Sequence, residues 1–344
     1  MHRQTMILWV WLLIPGCGAF LGPDPEADPE TLFELFWESY DRYYAHFELK
    51  GVDWEELYEE VRPRVGPGTT EEELFEVFRY MIGHLEDGHV HLVAGDRRAF
   101  SDAHLRGTRR NFHPAVVDEY LGESRNEVGR GQIVYGSVGE DIGYIRLATL
   151  SGGYGSGDDA GGWIEEIDLA IRDLSHKRGI VLDLRSNGGG RAHNTRYVAA
   201  RFVGEARPFL VTRSRNGPGH GDFSEPRTWQ VEPADTVRYL GPLVVITNRH
   251  TFSAAEWLTL ALREYDHVTH LGTHTGGGLA MFLPRELPNG WTYTISVQDT
   301  RCVRGRSYER VGVAPHRYVE NGPDDEELGR DTILDQAMDV LRRK

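Results

Sequence analysis

Gly179-Ile180-Val181-Leu182-Asp183-Leu184-Arg185-Ser186-Asn187-Gly188-Gly189-Gly190 is the stretch whose reading decides the architecture. The run Gly179 to Leu184 is almost continuously apolar, short, and closed by turn residues, which is the pattern of a strand buried on both faces. Ahead of it Trp163, Ile164, Ile167, Ile171 and Leu174 recur at helical spacing, and Gly143-Tyr144-Ile145-Arg146-Leu147 reads as an earlier strand. Strand, helix, strand implies a right-handed crossover and parallel pairing. The unit recurs as a helix over Asn194 to Val203, a strand over Leu243 to Ile246, a helix from Ser253 to Arg263 and a strand near Val268 to Leu271. The expected fold is therefore a layered α/β core of parallel strands and crossover helices over 139–344. A hairpin, Ala280 to Pro284 and Trp291 to Val297, is expected to close this body, and a last helix carries Leu334, Ala337, Met338 and Leu341.

Towards the N-terminus the periodicity becomes helical. Phe33, Phe36, Tyr40, Tyr43, Tyr44 and Phe47 line one face of a first helix. Asp53 with Glu56, and Thr70 with Glu73, mark the starts of two more. Together they predict a small helical bundle over 31–92, ended by the turn Asp87-Gly88 and a strand from His89 to Val93. Arg97 to Arg130 shows no sustained period, so 93–138 is expected to be a loop-rich connection.

The first residues read as an address. A charged start and an apolar run from Met6 to Ile14 suit a signal peptide over 1–16 and fall short of the roughly 20 residues of a membrane span. Leu13-Ile14-Pro15-Gly16-Cys17 resembles a bacterial lipobox, with Pro15 departing from the pattern. Cys17 is then the lipidation site and 17–30, rich in Pro and acids, the tether. The expected location is exported, facing the periplasm from a lipid anchor. With Cys17 acylated only Cys302 remains, which excludes an intramolecular disulfide.

At 344 residues, and about 150 per domain, two domains are expected. With 38 Lys and Arg against 53 Asp and Glu, the net charge of −15 repels phosphate backbones, so nucleic acid is not an expected partner. Hydrophobic content of 40% and eight Trp belong to a globular chain.

Several motifs carry little. Gly155 to Ala160 mimics a dinucleotide fingerprint, but Asp158 and Asp159 would repel a pyrophosphate, so a flexible loop is expected. His84, His89 and His91 lack the spacing of a metal-ligand set, and no metal or organic cofactor is expected. Two others carry more. Asn187-Gly188-Gly189-Gly190, at the carboxyl end of a parallel strand, is either an ordinary tight turn or a cradle of amides for a developing oxyanion. Ser253-Ala254-Ala255-Glu256 is either a plain capping box or a hydroxyl presented at the sheet edge beside the free Ala254 N–H.

In order, Leu85-Glu86-Asp87-Gly88-His89, Gly143 to Leu147, Leu182 to Gly190, Thr251-Phe252-Ser253-Ala254-Ala255-Glu256, Gly272-Thr273-His274-Thr275-Gly276 and Glu309 to Pro315 resemble the tail-specific, or C-terminal processing, serine peptidases. The resemblance runs from about Asp53 to Pro315 and implies a ClpP/crotonase-like core. The stretch Arg97 to Arg130 is too short for that family's usual PDZ insertion, so no PDZ domain is expected. It implies Ser253 as nucleophile, with an oxyanion hole from the N–H groups of Ala254 and the Gly188/Gly189 loop. The lysine of the Ser-Lys members is absent, since Thr275-Gly276-Gly277-Gly278 stands there. The chain instead looks like the tricorn branch, with His89 as base and Glu309 as its orienting carboxylate; His91, His250 and His274 are substitutes for the base. Gly88 stands where that branch has a Ser bridging His to Glu, so Glu309 would reach His89 directly, through water, or only shape the site. The implied activity is an endopeptidase acting on peptides or unfolded proteins through an acyl-enzyme. A catalytically silent binder on the same fold and a crotonase-like acyl-transforming enzyme are the alternatives.

Overall fold

The structure, a computed structural model, describes residues 26–108, 111–152 and 163–344. The expected signal segment, Cys17 and the loop Gly155 to Ala160 lie outside the described residues. Helix α1 (Pro29–Tyr43) starts where the Asp28 carboxylate accepts the N–H groups of Glu30 and Thr31, and it buries Phe33, Phe36 and Tyr40. After a single turn, Phe47–Lys50, α2 (Trp54–Val61) is capped by Asp53 and α3 (Glu71–Gly83) by a reciprocal Thr70/Glu73 box. The starts of α2 and α3 are those expected from sequence, whereas α1 ends at Tyr43, so that Tyr44 and Phe47, expected on its face, lie beyond it.

Strands β1 (Asp87–Ala94) and β2 (Arg97–Ser101) follow, then α4 (Pro114–Leu121), β3 (Asn126–Val128), β4 (Ile133–Val138) and β5 (Ile142–Leu147). The stretch expected to be loop thus carries short elements. A helix of eight residues and strands of three to six are too brief to show a sustained period.

The body continues with α5 (Ile167–Leu174), β6 (Gly179–Asp183), α6 (Ala192–Ala200), β7 (Arg207–Ser214), β8 (Arg227–Val231), β9 (Leu243–Thr247), α7 (Ala254–Arg263) and β10 (Val268–Gly272). After these come β11 (Phe282–Glu286), β12 (Thr292–Ser296), β13 (Gln298–Cys302), β14 (Arg317–Tyr318) and α8 (Thr332–Arg342). Among the described residues one sheet has the order β14-β10-β9-β6-β5-β4-β3. From β14 to β5 its neighbours pair in parallel, as the crossover pattern predicts. The central strands β6 and β9 are buried at every position. Buried Arg185 anchors the loop after β6: its guanidinium lies 2.6 Å from Asp183 and 2.8 Å from Asp331, and the Tyr144 hydroxyl donates to Asp183 at 2.7 Å.

The late hairpin is placed differently from expectation. β11 and β12 join β1 and β2 in a separate sheet of order β11-β12-β1-β2, with Leu92 opposite Tyr293. Instead of closing the α/β body it completes the helical one: Tyr293, Ile295 and Trp291 are buried with Phe33, Phe36, Phe75 and Phe78 in a single core. Trp291 meets Phe75 and Phe78 edge-on at 6.2 and 6.0 Å. Three short helices present more apolar surface than they can cover themselves, and the alternating apolar face of β12 covers it. The chain therefore crosses between the two bodies three times, and β1 is paired on one side by β12, which arrives after the α/β strands.

Candidate active site

At the carboxyl edge of the parallel sheet the loops after β6 and β9 are stitched together. The Asn248 side-chain oxygen accepts the Ser186 N–H at 2.9 Å, the Thr251 hydroxyl donates to the Leu184 carbonyl at 2.8 Å, and the Phe252 N–H donates to the Asn187 carbonyl at 2.9 Å. The loop after β9 then enters α7 through Ser253, whose backbone has φ 57° and ψ −124°. A non-glycine residue in that conformation is strained, and such strain marks sites where a side chain must be presented at a sharp strand-to-helix turn. Glu256 holds the turn: its carboxylate accepts the Ser253 N–H at 3.0 Å, the N–H groups of Gly277 and Gly278 at 2.8 Å each, and the Thr275 hydroxyl at 2.5 Å. Burial pushes its carboxyl up to about 7 despite these donors. The Ser-x-x-Glu spacing read as a capping box is thus also a clamp on the glycine loop.

The Ser253 Oγ lies 3.0 Å from His89 Nε2, across 164 residues of chain. β1 carries the imidazole in from the helical body, and its ring sits between Phe252, at 4.8 Å, and Phe282, at 5.3 Å. Burial pushes the imidazole down to about 4, with the Asp87 charge opposing the shift. It is neutral at neutral pH, the form that accepts a proton. The other histidines have other partners: His91 Nδ1 meets the Thr294 hydroxyl at 3.0 Å and His84 Nδ1 the Tyr80 carbonyl at 3.0 Å. His84, His89 and His91 do not converge.

Around Ser253 the backbone donors separate into two kinds. Gly189 N–H donates back to the Asn187 side-chain oxygen at 2.9 Å, so it holds the loop and does not face outward, unlike the expectation for that residue. Gly188 is exposed, and Ala254 opens α7, where the first N–H groups have no partner within the helix. These two amides are candidates for an oxyanion hole.

Glu309 is buried near the site but does not meet the imidazole. Its Oε1 accepts the N–H groups of Leu279 and Ala280, each at 2.7 Å. Among the described residues its Oε2 and His89 Nδ1 have no hydrogen-bond partner. Of the three expected possibilities for Glu309, a direct hydrogen bond to His89 is not made, while its bonds to Leu279 and Ala280 are those of a residue that shapes the site. Gly88 carries no bridging side chain, and a Cβ there would meet the Phe252 ring at 2.6 Å. Burial holds the Glu309 carboxyl above the usual carboxylate range. What Glu309 does fix is the wall of a pocket of about 370 Å³ that opens on Ser253 and is lined by Gly190, Ala192, Trp257, Leu279, Met281 and Phe282 among others. The Trp257 indole donates to the Leu279 carbonyl at 2.8 Å, which presents its apolar ring to the pocket.

Asp87, Asn187, Phe252 and Glu256 shape this site and were not singled out for it by sequence. The signal for two of them was present as spacing: Asp87 and Asn187 each stand two residues before the group they support, the offset of an Asx turn.

Comparison with known proteins agrees with this architecture. The sequence model of peptidase family S41 matches residues 141–319, and that of the tricorn protease C1 domain matches residues 25–83. Carboxy-terminal processing protease CtpB of Bacillus subtilis is 27% identical over 192 residues, 51% of this chain and 36% of that protein. Tricorn protease of Thermoplasma acidophilum is 26% identical over 202 residues, 58% of this chain and 16% of its own. The chain thus matches well under half the length of these curated relatives. A solved structure from Parabacteroides merdae aligns with a TM-score of 0.83 at 30% identity, covering 92% of this chain and 97% of that one. Mature CPAF shares the fold, at TM-score 0.69 and 13% identity over 92% and 96% of the two chains.

Proposed function

Because this chain belongs to peptidase family S41, we propose that it is a serine endopeptidase that cleaves peptides or unfolded proteins through an acyl-enzyme, with Ser253 as nucleophile and His89 as base. The observation that carries this reading is the 3.0 Å contact between Ser253 Oγ and His89 Nε2. With the ring proton on Nδ1, the hydroxyl donates to Nε2, as general-base activation requires. Ser253 Oγ attacks the scissile carbonyl carbon while its proton passes to His89 Nε2. The carbonyl oxygen takes the negative charge under the N–H groups of Gly188 and Ala254, at the positive end of α7. Collapse of the tetrahedral adduct breaks the C–N bond, and the imidazolium returns the proton to the leaving amine. Water then attacks the ester with His89 again as base, releasing the acid and restoring the Ser253 hydroxyl.

In this reading Glu309 acts on the substrate pocket, through Leu279 and Ala280, and not on the imidazole. A silent binding protein on the same scaffold would have no use for the strained backbone at Ser253. Cys17 anchors the mature chain to a membrane on the outer side, a proposal supported by the order of charged start, apolar core and lipobox-like Cys in the sequence. Reaction with a fluorophosphonate followed by peptide mass mapping tests the chemistry: the adduct is expected on Ser253, and an unmodified Ser253 contradicts it.

A further inference from the structure

His89 needs something to hold it and something negative for its cation to form against. Glu309 offers the ring neither a hydrogen bond nor a bridging residue. A different carboxylate lies two residues upstream. Asp87 is 1% exposed, and every face of its carboxylate is engaged. Oδ1 accepts the His89 N–H at 3.0 Å. Oδ2 accepts the Tyr44 hydroxyl at 3.0 Å, lies 3.2 Å from the Lys50 ammonium and 3.5 Å from His46 Nδ1. The Asp87 N–H donates to the Ser101 hydroxyl at 3.1 Å. The start of β1 is therefore pinned from the end of α1, from the turn that follows it and from β2.

We propose that Asp87 is the positioning residue of the base: it clamps the start of β1, the strand that carries His89, and supplies the fixed negative charge against which the imidazolium forms. The inference rests on the Ser253–His89 reading. Gly88 leaves no room for a bridging side chain because Phe252 fills that space. Support therefore reaches His89 through its main-chain N–H and through space, while Phe252 and Phe282 hold the ring faces.

The groups around the imidazole fix the sign of the effect. On its own strand are Asp87 and His91; from the end of α1 and the turn after it come Tyr44, His46 and Lys50; from the loop before β14 comes Glu309, with Glu256 of α7 beyond it. Burial disfavours the ionised Asp87, but the Lys50 charge and the His46 contacts outweigh it and hold the carboxyl well below the usual range. Burial acts the other way on Glu309, whose carboxyl lies high. Of the two acids, Asp87 is the one whose surroundings favour the ionised form. Its charge favours the imidazolium, and the charges on Lys50 and His46 oppose it.

The test is the rate at which a fluorophosphonate modifies Ser253, followed against pH in the whole protein. In that step the Oγ–P bond forms, the P–F bond breaks, fluoride leaves, and the hydroxyl proton goes to His89. Asp87→Asn is expected to lower the plateau rate on the order of 10²-fold through misplacement of the base and to move the acid limb to lower pH. Lys50→Met is expected to move the acid limb to higher pH, because an opposing positive charge is gone. If Asp87→Asn does not fold, Lys50→Met decides alone. An acid limb that stays at the wild-type pH in the folded variants overturns the inference, and so does a fall in rate with no movement of the limb, which is what a merely structural role gives. Those results leave the Ser253–His89 reading intact. A wild-type Ser253 that is not modified overturns that reading and this one with it.

Discussion

Gly189 lies so close to Ser253 that no side chain fits between them: a Cβ on residue 189 would stand 2.7 Å from the Ser253 Cβ and 2.8 Å from the Ala254 nitrogen. In the proposed mechanism the Ala254 N–H faces the oxygen of the tetrahedral adduct, so a side chain at residue 189 would stand against that donor. Gly189 also has φ +93°, a conformation that side chains rarely adopt. Gly189→Ala is therefore expected to lower kcat on an unfolded protein substrate on the order of 10²-fold or more, the cost of losing an oxyanion donor. A Gly189→Ala protein that folds and turns over at the wild-type rate would show that the oxyanion is held elsewhere.

The buried imidazole sets the pH range. Since its pKa is pushed down to about 4, and the base works deprotonated, kcat/KM is expected to stay level from neutral pH down to about 5 and to fall with an apparent midpoint near 4. An exposed His would lose activity around 6.5. The same burial destabilises the fold as pH falls from the unfolded value of about 6.5 through the folded one, because the unfolded chain binds the proton first. Circular dichroism at each pH separates the two effects. An acid limb near 6.5 in folded protein contradicts the buried-base assignment.

Substrate choice follows from the wall that Glu309 holds. The pocket beside Ser253 is lined by Ala192, Trp257, Leu279 and Met281, so an apolar side chain is expected at the residue whose carbonyl is attacked. Ala192→Leu narrows the pocket and should lower kcat/KM for a Leu or Phe substrate by about 10- to 100-fold while sparing an Ala substrate, in keeping with what one or two methylenes are worth in a fitted pocket. Equal losses for large and small side chains would place this subsite elsewhere.

Much of this arrangement is legible in the sequence because it is local. The Asp53 and Thr70 caps and the buried run Gly179 to Leu184 are fixed by neighbours a few residues away, and so is the Ser253–Glu256 spacing of the capping box. The resemblance to processing peptidases pointed to His89 and Ser253, which the fold brings into contact. The features that were not legible are the non-local ones. That β12 pairs with β1 depends on some 200 intervening residues, and alternation in Trp291 to Val297 fits either body equally well. The sheet β13-β7-β8 falls largely in a stretch, 204–242, that shows no clear period. Glu309 was assigned to the imidazole through a family pattern, yet the consequence of Gly88 depends on Phe252 filling the gap. Asp87 read as half of a turn, and only the approach of Tyr44, His46 and Lys50 reveals how fully its carboxylate is engaged.

The most direct test is the pre-steady-state acylation rate of wild type, Ser253→Ala and His89→Ala on one fluorogenic peptide with an apolar residue before the scissile bond. Acylation is expected to vanish in Ser253→Ala and to drop by roughly 10⁴-fold or more in His89→Ala, the scale seen when one member of a coupled nucleophile and base is removed. A His89→Ala protein that acylates within a few-fold of wild type would contradict the claim that these two side chains work as a unit.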